Sequence, residues 1–271
     1  TYVGRGTVIE GAIVGRSCDI RDRVRVHEGV AIGDGVTIGP EASVMPGVRI
    51  YPFKEVETGT HIHESIVWES RVSNRLFARA GVTGLVNADL TPETAVRIAA
   101  ALGTALEPGA QVVASRDSPD ACRMIQRALI AGLTSTGVAV ADLRVSPAAV
   151  TRHVLKTQGL GAGVHVGQSQ ADPELVEIRV FESPGIQLTT ALQKEIEKHF
   201  TRQTLRRATF ADVGETTYPA RVRESYAQDL LDSVNTGAVL ARGFRVAVDF
   251  GYSAASFTLP LVLGPLGVEA I

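Results

Sequence analysis

Apolar residues recur along the first seventy positions with a period of six. Every sixth residue from Val8 is Val or Ile: Val8, Val14, Ile20, Val26, Ile32, Ile38, Val44, Ile50, Val56 and Ile62. The fourth residue after each anchor is mostly small or apolar, as at Ala12, Cys18, Val24, Val30, Val36, Ala42 and Val48, and glycine follows Val14, Ile32 and Ile38. No α-helix has this period, and a simple strand alternates at two. The arrangement that buries one β-branched residue per hexad is a solenoid of short strands. Three faces would give a coil of about 18 residues, and stacked coils would bury a continuous Val/Ile column. Arg21, Asp22, Arg23 and Glu28 take outward positions, and so do His27, His61 and His63, which read as solvated surface residues.

After Arg71 the period changes. Gly81-Val82-Thr83-Gly84 reads as a turn. Thr91-Pro92-Glu93 reads as a helix start, with Thr91 as N-cap and Pro92 in the first turn, running to about Leu106 before Pro108-Gly109. Then follow a strand (111–115), a helix (about 119–133), a strand (138–145), a helix (about 147–157) and a strand (162–166). A further strand (176–181) and an amphipathic helix (about 189–201) complete the run. This alternation predicts a mostly parallel sheet with helices on both faces. Ligands bind such sheets beyond the carboxyl ends of the strands, which points to Arg116-Asp117 and to Gly167-Gln168-Ser169.

Composition narrows the class. The chain has 271 residues, 45% hydrophobic and 21% charged, as in an ordinary globular protein. A net charge of −2 argues against nucleic acid or an anionic membrane as the main partner. Cys18 and Cys122 lie in no CxxC or zinc-like spacing and read as free thiols in a reducing compartment, so the expected location is cytoplasmic. No apolar run reaches 18 residues and no basic-then-apolar leader is visible. The chain opens at Thr1 with its repeat already running and stops at Ile271 in what reads as the middle of a βαβ unit, so it is expected to be part of a longer protein.

The tandems VGRSCD, IGDGVT and IGPEAS resemble the left-handed parallel β-helix of the hexapeptide-repeat family. The stretch 50–70, IYPFKEVETGTHIHESIVWES with Trp68, is most similar to the nucleotidyltransferase version of that family. Further on, LFARAGVTG (76–84), LTPETAVRIAAALGTAL (90–106), VVASRD (112–117), GVAVADLRVSPAAVTRHVL (137–155) and GAGVHVGQSQADPE (161–174) resemble the first domain of phosphomannomutases and phosphoglucomutases. Residues 244–271 are similar to the opening of the second mutase domain. These resemblances imply a multidomain chain: a left-handed β-helix at 1–70, a phosphohexomutase-like α/β domain at 71–235, and the start of a second mutase domain at 236–271. They also imply a segment of a sugar-nucleotide protein joining a mannose-1-phosphate guanylyltransferase-like part to a phosphomannomutase-like part.

In those mutases a loop serine carries a phosphoryl group, a divalent cation neutralises charge and cationic side chains surround the phosphate. The resemblance places Ser169 in register with that serine. Pro173 and Glu174 match the family, Arg179 stands where it has a lysine, and Arg116-Asp117 match its Arg-Asp, so the resemblance implies Arg116 and Arg179 as the residues that hold the phosphosugar. The following His-Asn-Pro is replaced by Gln170, Ala171 and Asp172, and Thr83 replaces the phosphate-contacting arginine of the Gly-Ile-Arg-Gly turn. Asp172 adds negative charge beside the serine. The resemblance implies Mg2+ in the parent protein, with its aspartate loop outside this chain.

Three readings follow. In one, the parent protein converts a mannose or glucose phosphate and joins it to a nucleotide, this chain supplying a tether, a homo-oligomer contact and part of a mutase site. In another, the mutase-like unit has lost turnover and serves as a sugar-phosphate-binding or oligomerisation scaffold. A hexapeptide acyltransferase would need a loop-borne histidine, and the repeats show none.

Overall fold

The computed structural model describes residues 1–67, 71–72, 76–77, 81–169, 172–251 and 253–271, with 71 and 72 as backbone only. Trp68, Gln170 and Ala171 therefore lie outside the described residues. The chain divides into two compact units, Thr1–Leu76 with Asn87–Asp89 and Phe77–Val86 with Leu90–Ile271.

In the first unit, two-residue strands form three parallel ladders. One runs through Tyr2–Val3, Asp19–Ile20, Thr37–Ile38, Glu55–Val56 and Arg71–Val72. The second joins Val8–Ile9, Arg25–Val26, Ser43–Val44 and His61–Ile62, and the third Ile13–Val14, Ala31–Ile32 and Arg49–Ile50. Ile20, Val26, Ile32, Ile38, Val44 and Ile50 are buried in one apolar cluster with Cys18, Val24, Val30, Val36, Ala42 and Val48. Side-chain-free corners permit close stacking: a Cβ on Gly33 would stand 2.6 Å from the Pro52 nitrogen.

The series counted from Val8 slips at its first member. Ile9 pairs with Val26, whereas Val8 pairs with the outward Arg25 and is 47% exposed. The interval from Ile9 to Val14 is one residue short of a hexad. A one-residue slip in a strand sends every side chain to the opposite face.

The second unit carries the mixed sheet. Its elements are β1 (Val82–Leu85), α1 (Pro92–Ala105), β2 (Gln111–Arg116), α2 (Asp120–Thr134), β3 (Ala139–Val145), α3 (Ala148–Gln158), β4 (Ala162–Gln168), β5 (Leu175–Glu182) and β6 (Ile186–Gln187). α4 (Thr190–Arg202), β7 (Thr216–Thr217), α5 (Val222–Asp232) and α6 (Thr236–Arg242) follow, and short elements close the unit. The strand order is β1-β5-β4-β2-β3-β7, with β6 paired to β5. Thr91 caps α1, its Oγ1 accepting the Thr94 amide at 3.2 Å, and Pro92 occupies the first turn as its missing donor favours. Val113, Leu143, Val150, Val154 and Leu155 form a core between the sheet and α3.

Two local expectations are corrected here. The sheet is parallel only through β2, β3, β4 and β7; β5 runs antiparallel to β4, and β1 antiparallel to β5. Only residues 169–174 join β4 to β5, too few for the crossover a parallel pair needs. Gly81-Val82-Thr83-Gly84 is not a free turn, because Val82–Leu85 is a strand at the sheet edge. Gly81 has φ 149°, and a Cβ there would meet the Ile178 carbonyl at 2.2 Å, so glycine admits the chain to that edge.

The fold class is corrected as well. It is that of an α/β body with a mixed sheet and, ahead of it in the chain, three short parallel ladders, in place of the expected left-handed β-helix followed by an α/β domain. A six-residue period specifies which residues turn inward; it does not encode the hand of a coil or the family it belongs to. No helix among the described residues is long and apolar enough to cross a membrane.

Candidate functional site

The site is built at the carboxyl end of the sheet, where β2 and β4 finish side by side. Cα partners Ser115, His165 and Arg179 make one row across β2, β4 and β5. Gly167, Glu177 and Thr83 make the next row across β4, β5 and β1. Both rows lie on one face of the sheet, because side chains two apart in a strand share a face. Arg116 therefore turns to the other face.

The first row is a buried hydrogen-bonded cluster. Ser115 Oγ lies 2.8 Å from His165 Nδ1 and 2.5 Å from Thr151 Oγ1, which α3 supplies from above. Ser115 and Thr151 are fully buried and His165 nearly so. The other ring nitrogen, His165 Nε2, stands 3.7 Å from Asp117 Oδ1. Burial pushes the His165 pKa down to about 4, with the Arg179 cation contributing in the same direction, so the ring is neutral near pH 7. Burial raises the Asp117 pKa, and an amide hydrogen bond and Arg179 oppose the rise.

Asp117 is the link to the candidate nucleophile. Its Oδ2 accepts the backbone N–H of Gln168 at 3.2 Å, one residue before Ser169. The Ser169 N–H donates to the Leu175 carbonyl at 2.9 Å, and the Gln168 side-chain amide donates to the Pro173 carbonyl at 2.6 Å. Asp172 Oδ1 accepts the Glu174 N–H at 2.9 Å, so this carboxylate shapes the turn. Gly167 lets Asp117 and the ring crowd together: a Cβ there would stand 2.9 Å from Asp117 Oδ2 and 3.1 Å from His165 Nε2.

The two arginines expected to hold phosphate are separated by the sheet. Arg116 is buried, donates from Nη1 to the Asp117 carbonyl at 2.9 Å, and has its pKa lowered chiefly by desolvation. Arg179 is paired with the buried Glu177, its Nε and Nη2 each 2.6 Å from Oε2. Its Cα sits opposite His165, four residues back along β4 from Ser169, which at about 3.3 Å per residue is on the order of 13 Å. The structure thus brings Asp117 and the backbone before Ser169 together, and leaves Arg116 outside that group. Sequence reasoning missed His165, Ser115, Thr151 and Glu177. The available signal was a lone histidine inside the apolar run Ala162–Val166 and an acid in β5.

A divalent cation does not fit what is present: among the described residues no three His, Cys, Asp or Glu side chains converge as a metal group.

Residues 74–207 match the family model described as phosphoglucomutase/phosphomannomutase, alpha/beta/alpha domain I. The chain is 30% identical over 197 residues to a protein of Pyrococcus furiosus named probable phosphoglucosamine mutase, covering 73% of this chain and 42% of that protein. It is 30% identical over 201 residues to a phosphoglucomutase/phosphomannomutase of Thermococcus kodakarensis, covering 73% and 44%. A phosphoglucomutase/phosphomannomutase family protein of Burkholderia thailandensis superposes with a TM-score of 0.63 at 20% identity, covering 74% of this chain and 44% of that one, a likeness of fold. The chain spans less than half the length of these relatives. It carries a phosphoglucomutase/phosphomannomutase-like domain. These similarities are all to mutases, and they lend no support to a nucleotidyltransferase fusion or to a hexapeptide-repeat β-helix.

Proposed function

We propose that this chain is part of a protein that handles hexose phosphates, with residues 71–235 as its phosphohexomutase-like first domain and 236–271 as the start of the next. The observation that supports this best is the match of residues 74–207 to the mutase domain, with Ser169 on the loop beyond β4 at the sheet's carboxyl end. In this reading Ser169 is the phosphoryl carrier, the loop between β4 and β5 fixes it, and Asp117 anchors the residue before it. Mannose or glucose phosphate is the substrate class, Mg2+ would enter from outside this chain, and the cytoplasm is the proposed location.

A second reading has a specific observation in its favour. Thr83 stands in the ladder opposite the buried Glu177, at the position where the resemblance has a phosphate-contacting arginine. Arg179, the nearby cation, is already paired with that acid. A site with this charge balance binds a sugar phosphate without turning it over, and acts as a scaffold in a homo-oligomer. The ladders of the first unit supply a repetitive surface for such assembly, and the finer reading as a segment of a mannose-1-phosphate guanylyltransferase-type protein rests on the sequence resemblance of residues 50–70.

The deciding experiment incubates the full-length parent protein with mannose 1,6-bisphosphate or glucose 1,6-bisphosphate plus magnesium, followed by mass spectrometry. A phosphoryl group on Ser169 supports the mutase reading. An unmodified Ser169 with sugar phosphate still bound supports the scaffold.

A further inference from the structure

A cleft opens elsewhere in the second unit, beyond the carboxyl ends of β3 and β7. Its volume is about 460 Å³, and Arg144, Tyr218, Arg221, Arg223, Glu224 and Phe257 are among the residues that line it. Two of its three arginines are held by aromatic faces. The Arg144 guanidinium lies 4.8 Å from the Tyr218 ring centre and that of Arg223 lies 5.3 Å from the Phe257 ring centre. Stacking engages the flat face of a guanidinium and leaves its N–H edge available, which is the geometry that grips a phosphate with paired hydrogen bonds.

None of the three has a carboxylate within ion-pair distance among the described residues. The neighbouring acid Asp142 is engaged elsewhere: its Oδ1 accepts the Gln126 side-chain amide at 2.8 Å and the Arg144 backbone N–H at 2.7 Å. Glu224 is the opposing charge in the cleft. The cleft lies across the sheet's parallel half from Ser169, since β3 and β7 follow β2 on the side away from β4.

We propose that this cleft is a phosphate-binding site distinct from the Ser169 loop. Arg144 and Arg223 are its fixed donors and Arg221 is a third cation at its rim. The ligand is a small molecule carrying a phosphate dianion, either a sugar phosphate monoester or a free diphosphate. The site is independent of whether Ser169 is phosphorylated.

Isothermal titration of the full chain with inorganic pyrophosphate and with glucose 1-phosphate tests it. The wild-type chain should bind at least one probe. R144Q and R223Q should each weaken that binding about tenfold or more, while R144K and R223K, which retain charge but lose the fork, should fall between. E224Q should tighten it. Preference for glucose 1-phosphate identifies an ester ligand and preference for pyrophosphate a diphosphate, and either supports the site. Binding of both probes unchanged in folded R144Q and R223Q, or no binding of either probe, overturns it. Circular dichroism spectra of each variant show whether a loss reflects misfolding, and the E224Q result is free of that ambiguity.

Discussion

Ser115 and His165 face each other across neighbouring parallel strands, the serine hydroxyl 2.8 Å from the imidazole Nδ1. That contact fixes the plane of a ring whose far nitrogen looks toward Asp117. A neutral, buried imidazole with partners on one side and an acid on the other is a rigid spacer between the sheet and the Ser169 loop.

Its titration has a defined sign. The folded-state pKa of His165 is about 4 against an ordinary 6.5, so between these values the unfolded chain binds more protons. The stability that His165 contributes is complete above pH 6.5 and is lost as pH falls toward 4, by about 3 kcal/mol for a shift of this size. Asp117, raised by burial, acts in the opposite sense: it disfavours the fold once ionised and relieves that cost as pH falls. Urea titrations from pH 7 to pH 4 should show a net fall in the wild type that is much shallower in H165L. An equal fall in both would remove His165 as the cause.

Gly167 is a steric prediction. Gly167→Ala inserts a Cβ within 2.9 Å of Asp117 Oδ2, and thermal melting should show destabilisation of about 1–3 kcal/mol. The same substitution at Gly109, whose Cβ meets nothing within 4 Å, carries only the strain of φ 78° and makes the comparison informative.

The Arg179–Glu177 pair is asymmetric, since the Glu177 side chain is 7% exposed and that of Arg179 is 30%. Arg179→Met strands a buried carboxylate and should cost about 3–5 kcal/mol, whereas the double change Arg179→Met with Glu177→Leu should recover much of the loss. Denaturant midpoints of the two single and the double variants form the cycle that measures this.

In the ladders, Ile38→Ala should cost about 2–5 kcal/mol because Ile38 is fully buried, while Val8→Ala should stay within about 0.5 kcal/mol. A large effect at Val8 would contradict the observed pairing of Ile9 with Val26.

Much of the second unit is written locally. Thr91-Pro92 sets the start of α1, and the strands and helices from Gln111 to Arg202, apart from β6, lie within one or two residues of where apolar periodicity and punctuation put them. Likewise the inward residues of the ladders from Ile20 onward follow from the six-residue period. These features are legible because each depends on neighbours in sequence: a capping hydroxyl, a missing donor, a repeating apolar position. Strand direction at β5, the edge role of Val82–Leu85, the register at Ile9 and the fold class were settled only by pairing at a distance. So was the site. Ser115, Thr151 and His165 read as unremarkable residues in separate elements, and Arg116 and Arg179 as partners in one pocket. Hydrogen bonding across the sheet joins the first three, and the pleat sends the two arginines to opposite faces, because alternation fixes where a side chain points only once its strand has been placed.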